Sequence, residues 1–441
     1  MARKRKHEFE KVIEDVLIPG VFIGWRDIWE FVESIEAVRK RISSLIKEGD
    51  AGRAVELFEI FIAGCYEKSE EIDDSGGCFG QVVPDLFSDW VRARQAAESD
   101  PDETAEFLVS WMQNDEYGYC LTLEKNVVKV LDRKGLSAFE RAVHRHFNDE
   151  DKGSYVHRKK VEILKTILKK RRDVDGYVEL CKVEERLTSE DCKVLAEMSL
   201  KRRRAEEALA WVDRGLDLEK EERGRGNPAW GLGKLKRQIL KKLGRNGEAL
   251  NSAWDDYRRS PSIFSYDELM KFVPKRERTS WHAKAIATLD RAGLGSRIAL
   301  LGKTKELDRL AQTVSKAPRE EFVALSHHDC EAAAKKLLRS HPLLAAKLHV
   351  AMALRIVEAK KSKHYDAALD HLEKARKIMV REGREKEWEA LAAEIRNNHE
   401  RKRSFMPGFE RLAEGRRARP PSFRNRARRR WAQGARGRRR S

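Results

Sequence analysis

Apolar side chains recur three and four residues apart along nearly the whole chain, and no run alternates with the two-residue period of a strand. Phe31, Ile35, Val38, Ile42 and Leu45 form one such stripe, and Ala54, Leu57, Phe58, Phe61 and Ile62 form the next. A stripe of this kind is one face of an amphipathic helix and must be buried against another element. Helix punctuation supports the reading. Gly49 ends the first stripe and Asp50 stands where the next helix is capped. Asp100-Pro101-Asp102-Glu103 reads as a helix start, with Asp100 accepting the amide of Glu103. Ser137 to Glu140 and Ser265 to Glu268 have the spacing of capping boxes. Pro101, Pro228, Pro261, Pro274, Pro318 and Pro342 all sit at expected helix boundaries.

A weak repeat runs through the second half: a small residue, an apolar residue four later, and often another small one three further on. It reads Ala208/Val212/Gly215, Ala249/Ala253, Ala285/Leu289/Ala292, Ala333/Leu337 and Ala368/Leu372/Ala375. The first residues are 41, 36, 48 and 35 positions apart, within the range of helix-pair solenoids, about 34 to 47 residues. Ala54/Phe58 is a similar copy nearer the start, and Pro261 follows Ala249 by twelve residues, where tetratricopeptide units carry a proline. The expected fold is all-α: an irregular, tetratricopeptide-like α-solenoid body with a disordered basic tail. The expected segments are a basic N-terminal arm and lead-in over 1–22, an N-terminal helical domain over 23–175, a helical-repeat region over 176–402, and an Arg-rich tail over 403–441. Tryptophans, including Trp25, Trp29, Trp90 and Trp254, are spread along the body and mostly fill gaps between helices, a minority remaining for a peptide groove.

Charge is segregated. The net charge is +18, of which residues 401–441 carry +14 and Arg3, Lys4, Arg5 and Lys6 carry +4, leaving 7–400 neutral. Fifteen of the sixteen basic residues after position 400 are arginine, and aliphatic residues nearly vanish. Such a segment buries too little apolar surface to offset its ordering entropy, so residues 415–441 are expected to be disordered when unbound. Arg424, Arg426, Arg428, Arg429, Arg430, Arg438, Arg439 and Arg440 alternate with small residues, with Phe423 and Trp431 interleaved. Guanidinium forks grip phosphate and stack on bases, and aromatic rings stack too, so these residues are the candidate contacts to RNA or DNA, with little sequence preference. The competing reading is an inert solubility tail.

Six scattered cysteines form no C-x-x-C pair, which points to buried thiols in a reducing compartment. No apolar run approaches the roughly twenty residues of a membrane span, and acidic residues follow the basic start where a signal peptide is apolar. A cytoplasmic location is the expectation.

Several strings resemble an uncharacterised family of bacterial α-helical proteins: residues 54–80, 264–275, 355–375 and 405–412. The resemblance runs from about Gly24 to Leu412 and implies a helical-repeat body in a bacterial cytoplasmic protein. In longer members this region follows a SWIM-type zinc finger. The finger's C-x-C…C-x-H ligands have no match here, so zinc does not transfer.

Chemistry is sparse. Glu70, Glu71, Asp73 and Asp74 with Gly76 and Gly77, and then Asp85 and Asp89, are carboxylates a divalent cation accepts, but their spacing fits no calcium loop. His327, His328 and Cys330 are metal ligands by type without a second pair, and Cys330 reads better as a packed thiol. His144 and His146 are two apart and share no helix face. Residues 224–234 are glycine-rich but lack the Ser or Thr of a phosphate loop, and read as an interhelical loop. No catalytic residue, metal or cofactor is therefore assigned. The expectation is a non-enzymatic scaffold that binds a protein partner through its helical surface and nucleic acid through its tail. The alternatives are a metal-dependent hydrolase using Asp73, Asp74 or His327, and an inert scaffold. Oligomeric state is not legible.

Overall fold

The structure, a computed structural model, describes residues 2–149, 151–221, 229–360 and 362–415; of residues 2–8, 229 and 230 it describes the backbone alone. Among these residues the chain forms 23 α-helices and no strand. The all-α, helical-repeat architecture expected from the periodicity is the one adopted. The described part divides into two compact units, Met1–Ile239 and Leu240–Ser441.

Each unit is built from helices packed mainly on their neighbours in sequence. In the first, Ile28–Lys47 packs on Ala51–Lys68, which packs on Val83–Ala96. Further along, Pro101–Gln113 packs on Arg133–His146, and Ser189–Lys201 on Ala205–Glu221. In the second, Asn246–Arg259 packs on Ile263–Phe272, and His327–Leu337, Pro342–Glu358 and Tyr365–Arg381 pack in series. Short-range pairing of this kind gives each helix a burial partner close by in the chain.

The apolar stripes are the buried faces. Phe31, Ile35, Val38, Ile42 and Leu45 are all buried, as are Ala54, Leu57, Phe58, Phe61 and Ile62. Rings run through the first core in sequence: Phe31 and Phe79 are 5.8 Å apart, Phe79 and Tyr119 5.8 Å, Tyr119 and Tyr66 5.3 Å, and Tyr66 and Trp111 4.6 Å. These tilted and edge contacts suit the ring quadrupole.

The repeat has a steric cause. Ala208, Val212 and Gly215 are buried together. A Cβ on Gly215 would lie 2.9 Å from Cys192 Cβ and 3.0 Å from Leu232 Cδ1. Ala249 and Ala253, Ala333 and Leu337, and Ala368, Leu372 and Ala375 are likewise buried. The third copy departs from the others: Ala285 lies in the last turn of the helix Arg278–Ala287, and Leu289 falls in the 3-10 turn Leu289–Arg291.

Helix starts differ from expectation in detail. Asp100 caps Pro101–Gln113 through the amide of Asp102 at 3.0 Å, not that of Glu103. Ser137 lies inside Arg133–His146, where Asp132 is the cap and accepts the Gly135 amide. Ser265 is the third residue of Ile263–Phe272, and Ser262 caps it. In the last two cases a side chain earlier in the chain reaches the free amides first. Gly49, at φ +87°, ends Ile28–Lys47 as expected, in the left-handed region that favours glycine. The stretch expected as a loop over 224–234 is helical from Ala229 onward, in Ala229–Lys242.

The segment expected as tail from 403 joins the core first. Phe405, Phe409 and Leu412 are buried, and the helix Met406–Ala413 packs on Tyr365–Arg381 and Glu385–His399. Three large apolar residues at helical spacing outweigh the surrounding arginines. Residues 416–441, with the disorder expected of them, lie outside the described residues.

One buried charge pair stands in the first core. Lys159 Nζ lies 2.7 Å from Glu124 Oε2 and also donates to the Leu121 carbonyl, and both side chains are buried. Two predictions follow from this packing. Gly215→Val forces two helices apart and costs about 1–3 kcal/mol in denaturant unfolding. Lys159→Met strands the Glu124 carboxylate and costs about 3–5 kcal/mol, with Glu124→Gln added to it restoring part of the loss.

Candidate functional site

The first unit exposes a cluster of large apolar side chains within one short segment. Ile18, Val21, Phe22, Trp25 and Trp29 are exposed by 42, 49, 65, 61 and 67%. Scattered exposed apolar residues are ordinary, but a contiguous group of aromatic ones marks an interaction surface. Among the described tryptophans Trp25 and Trp29 are the exposed ones; Trp90, Trp254 and Trp388 are buried, and Trp111, Trp211 and Trp281 half-buried.

The segment is held rigidly from beneath. Lys68, at the end of Ala51–Lys68, is only 3% exposed. Its ammonium donates to the Ile18 carbonyl at 2.9 Å and to the Val21 carbonyl, and pairs with Glu71 at 2.8 Å. The Glu71 carboxylate accepts the Gly20 amide at 2.9 Å. The Lys68 hydrogen bond holds the Glu71 carboxyl below its ordinary range, with the Gly20 amide acting the same way. Backbone bonds complete the clamp. The Ile23 amide donates to the Glu71 carbonyl at 2.8 Å, and the Asp73 amide to the Ile23 carbonyl at 2.9 Å. A tight turn follows, closed by the Asp27 amide on the Gly24 carbonyl at 2.9 Å. Ile18 has φ +46°, an outlier for a β-branched residue, and its carbonyl is one that Lys68 grips. A buried ammonium satisfied by two carbonyls and a carboxylate makes this loop a preorganised platform.

The carboxylates singled out from sequence serve this architecture. Asp74 accepts the amides of Phe79 at 3.0 Å and Gly80 at 2.8 Å, and Asp73 accepts that of Ser75 at 3.2 Å. Tyr117 donates to Glu70 at 3.4 Å. Asp89 is buried, pairs with Arg39 at 2.9 Å and accepts Ser43 Oγ at 2.9 Å. These acids hold turns and neighbouring helices together, which is what an acid-rich helix end beside a glycine turn does.

In the second unit His327 meets two histidines that sequence spacing did not bring to notice. His349 Nδ1 and His371 Nδ1 are 3.0 Å apart and buried, and the His327 ring is 5.0 Å from that of His371. Twenty-two residues separate the pair, on two helices, so no local pattern signalled it. His328 is exposed, and Cys330 is buried with its thiol pushed up to about 11 by burial. A cleft of about 450 Å³ borders the pair, lined by Glu331, Asp370, His371, Glu373, Lys374 and Lys377. Among the described residues no group of three or more His, Cys, Asp or Glu is arranged to hold a metal ion.

Of the sequence-predicted nucleic-acid contacts, Arg3, Lys4, Arg5 and Lys6 fall in the first turns of the helix Ala2–Leu17. Phe423, Arg424, Arg426, Arg428, Arg429, Arg430, Trp431, Arg438, Arg439 and Arg440 lie outside the described residues. No described helix is long and apolar enough to cross a membrane.

The histidine pair has a measurable consequence. Burial lowers His349 to about 4 and His371 to about 3 from the ordinary 6.5, with Lys374 opposing protonation of both and His349 opposing that of His371. Of the other facing groups, His327 and, for His349, Lys335 act in the same direction, and Glu331 opposes them. The folded pair stays neutral while the unfolded chain takes up protons. Its stabilising effect is therefore complete above about pH 6.5 and is lost as pH falls toward 4 and 3. Denaturant unfolding at pH 5 should lose about 2 kcal/mol per histidine relative to pH 7.5, and His371→Gln should flatten that dependence.

Comparison with known proteins finds one family model, described as a family of unknown function (DUF6880), matching residues 6–407. No curated protein matches the chain. Among solved structures, one described as the "Structure of Naa15/Naa10 bound to HypK-THB" aligns over 89% of this chain at 11% identity, with a TM-score of 0.32. The match spans 63% of that other chain.

Proposed function

The chain belongs to DUF6880, a family of unknown function whose model takes in the aromatic loop, and we propose that it works as a non-enzymatic interaction protein. Its first unit binds a protein partner through the platform of Val21, Phe22, Trp25 and Trp29, and its Arg-rich end contacts nucleic acid. The observation that carries the reading is the clamp on residues 18–27. A loop braced by Lys68 and Glu71 keeps aromatic side chains in water, against their burial free energy of about 2 kcal/mol each. Rigid aromatic anchors of this type dominate the energetics of protein interfaces.

The nucleic-acid half rests on the sequence: a net +14 over residues 401–441, mostly arginine, with Phe423 and Trp431 interleaved. Each phosphate neutralised releases counterions, so binding is sequence-tolerant and falls steeply with salt. Two weak sites on one chain raise avidity by roughly 10²–10⁴-fold. A bacterial, cytoplasmic setting, and kinship with bodies that follow a SWIM-type finger, belong to the same reading.

One experiment separates the two halves. Quantitative affinity purification, with and without nuclease, compares the full chain, Trp25→Ser/Trp29→Ser, and a chain ending at Gly415. We expect a nuclease-resistant protein partner that the double variant loses, and nucleic acid that the truncated chain loses while its unfolding is unchanged. Recovery of the same proteins by wild type and double variant defeats the interaction surface. Equal retention of full and truncated chains on heparin defeats the arm.

A further inference from the structure

The aromatic platform is flanked in sequence by carboxylates. Glu14, Asp15, Asp27, Glu30 and Glu33 surround the apolar residues in sequence, and all five are exposed. Among the described residues none of them is in an ion pair, although this chain pairs its charges freely elsewhere, as in Arg39–Asp89 and Lys303–Asp267. The single cation between positions 14 and 33 is Arg26, and its guanidinium lies 5.2 Å from the centre of the Trp25 ring. That segment therefore carries five carboxylates against one guanidinium. Residues 7–400 as a whole are neutral, so the rest of the body carries a net +4.

From this juxtaposition we infer that the platform takes a cationic amphipathic segment of a partner protein: an apolar face bordered by lysine or arginine. The inference rests on the reading that the loop is an interaction surface, and adds the chemistry of what covers it. Three alternatives are disfavoured by the same charges. A second copy docking through this face brings like carboxylates together, and like charges across an interface cost free energy. Anionic lipid and nucleic acid meet the same repulsion. A cationic segment neutralises the rim and covers the rings in one step.

The helix at the platform's edge supplies the spacing. Trp29 and Glu33 lie one turn apart on the same face of Ile28–Lys47, which alternates an apolar anchor with an anionic contact. A partner helix with a leucine and a lysine four residues apart offers the complementary pair. Arg26 on Trp25 is an intramolecular instance of the contact a partner arginine makes. The Trp29 ring has no cation over it among the described residues, so that face is open for the partner's own.

Because the partner is unidentified, the probes are two synthetic amphipathic helices of about eighteen residues, one with leucine and lysine faces and one with leucine and glutamate faces. Binding to the full chain is followed by fluorescence anisotropy at about 50 and 300 mM salt. The lysine peptide should bind, more weakly at high salt, and the glutamate peptide should not. Glu30→Lys/Glu33→Lys should weaken the lysine peptide by about tenfold or more. Trp25→Ser/Trp29→Ser should abolish binding, with unchanged helical circular dichroism and unfolding midpoint. Equal binding of both peptides, or indifference to the charge reversal, overturns the inference about charge while leaving the surface standing. Concentration-dependent dimerisation that the tryptophan variant abolishes also overturns it, in favour of a second copy. Indifference of every probe and of partner recovery to the tryptophan substitutions removes the surface itself.

Discussion

Close approach of neighbouring helices is the constraint on which the rest depends. An amphipathic helix has one face to bury, and here the partner is usually the next helix or the one after it. Alanine and glycine at the crossing points let backbones come near enough for the larger residues on either side to interlock. Gly215 against Cys192 and Leu232 is one expression of this, and Gly408, whose absent Cβ would lie 2.4 Å from Leu369 Cδ1, is a tighter one near the end of the body. A lone helix of these lengths is marginal in water, so helix and packing form together.

Onto this apolar framework the chain adds a few buried polar groups, held by partners on other elements. Lys68 is gripped by two carbonyls and Glu71, Lys159 by Glu124 and a carbonyl, and His349 by His371. Such groups add little net stability, because desolvation offsets much of what pairing returns. What they contribute is position. Lys68 decides where residues 18–27 run, and therefore that Phe22 and Trp25 face water, while Trp29 is exposed on the first turn of Ile28–Lys47. The loop part of the platform is thus a consequence of one buried cation placed at the end of a core helix.

Much of the helical framework was legible because its signals are local. The stripes of Phe31 to Leu45 and Ala54 to Ile62, the stop at Gly49 and the proline boundaries all depend on residues within a turn or two of each other. The errors were local too. Ser137 and Ser265 have the right neighbours for caps, but Asp132 and Ser262 stand earlier in the chain and reach the free amides first. Arginine-rich composition drew the expected tail back to position 403, although Phe405, Phe409 and Leu412 were spaced to join the core.

The amino-acid order alone determined that this chain is helical, that its repeats carry small residues where helices cross, and that its net charge collects at its two ends. Those properties belong to spacing and composition, which need no partner to be read. Which tryptophans stay in water, which acids hold turns rather than ligands, and which histidines meet were decided only on folding. Most depend on a contact between residues far apart in the chain: Lys68 with Ile18, Asp89 with Arg39, His349 with His371. Burial and hydrogen bonding across such distances are set by the packing of whole helices.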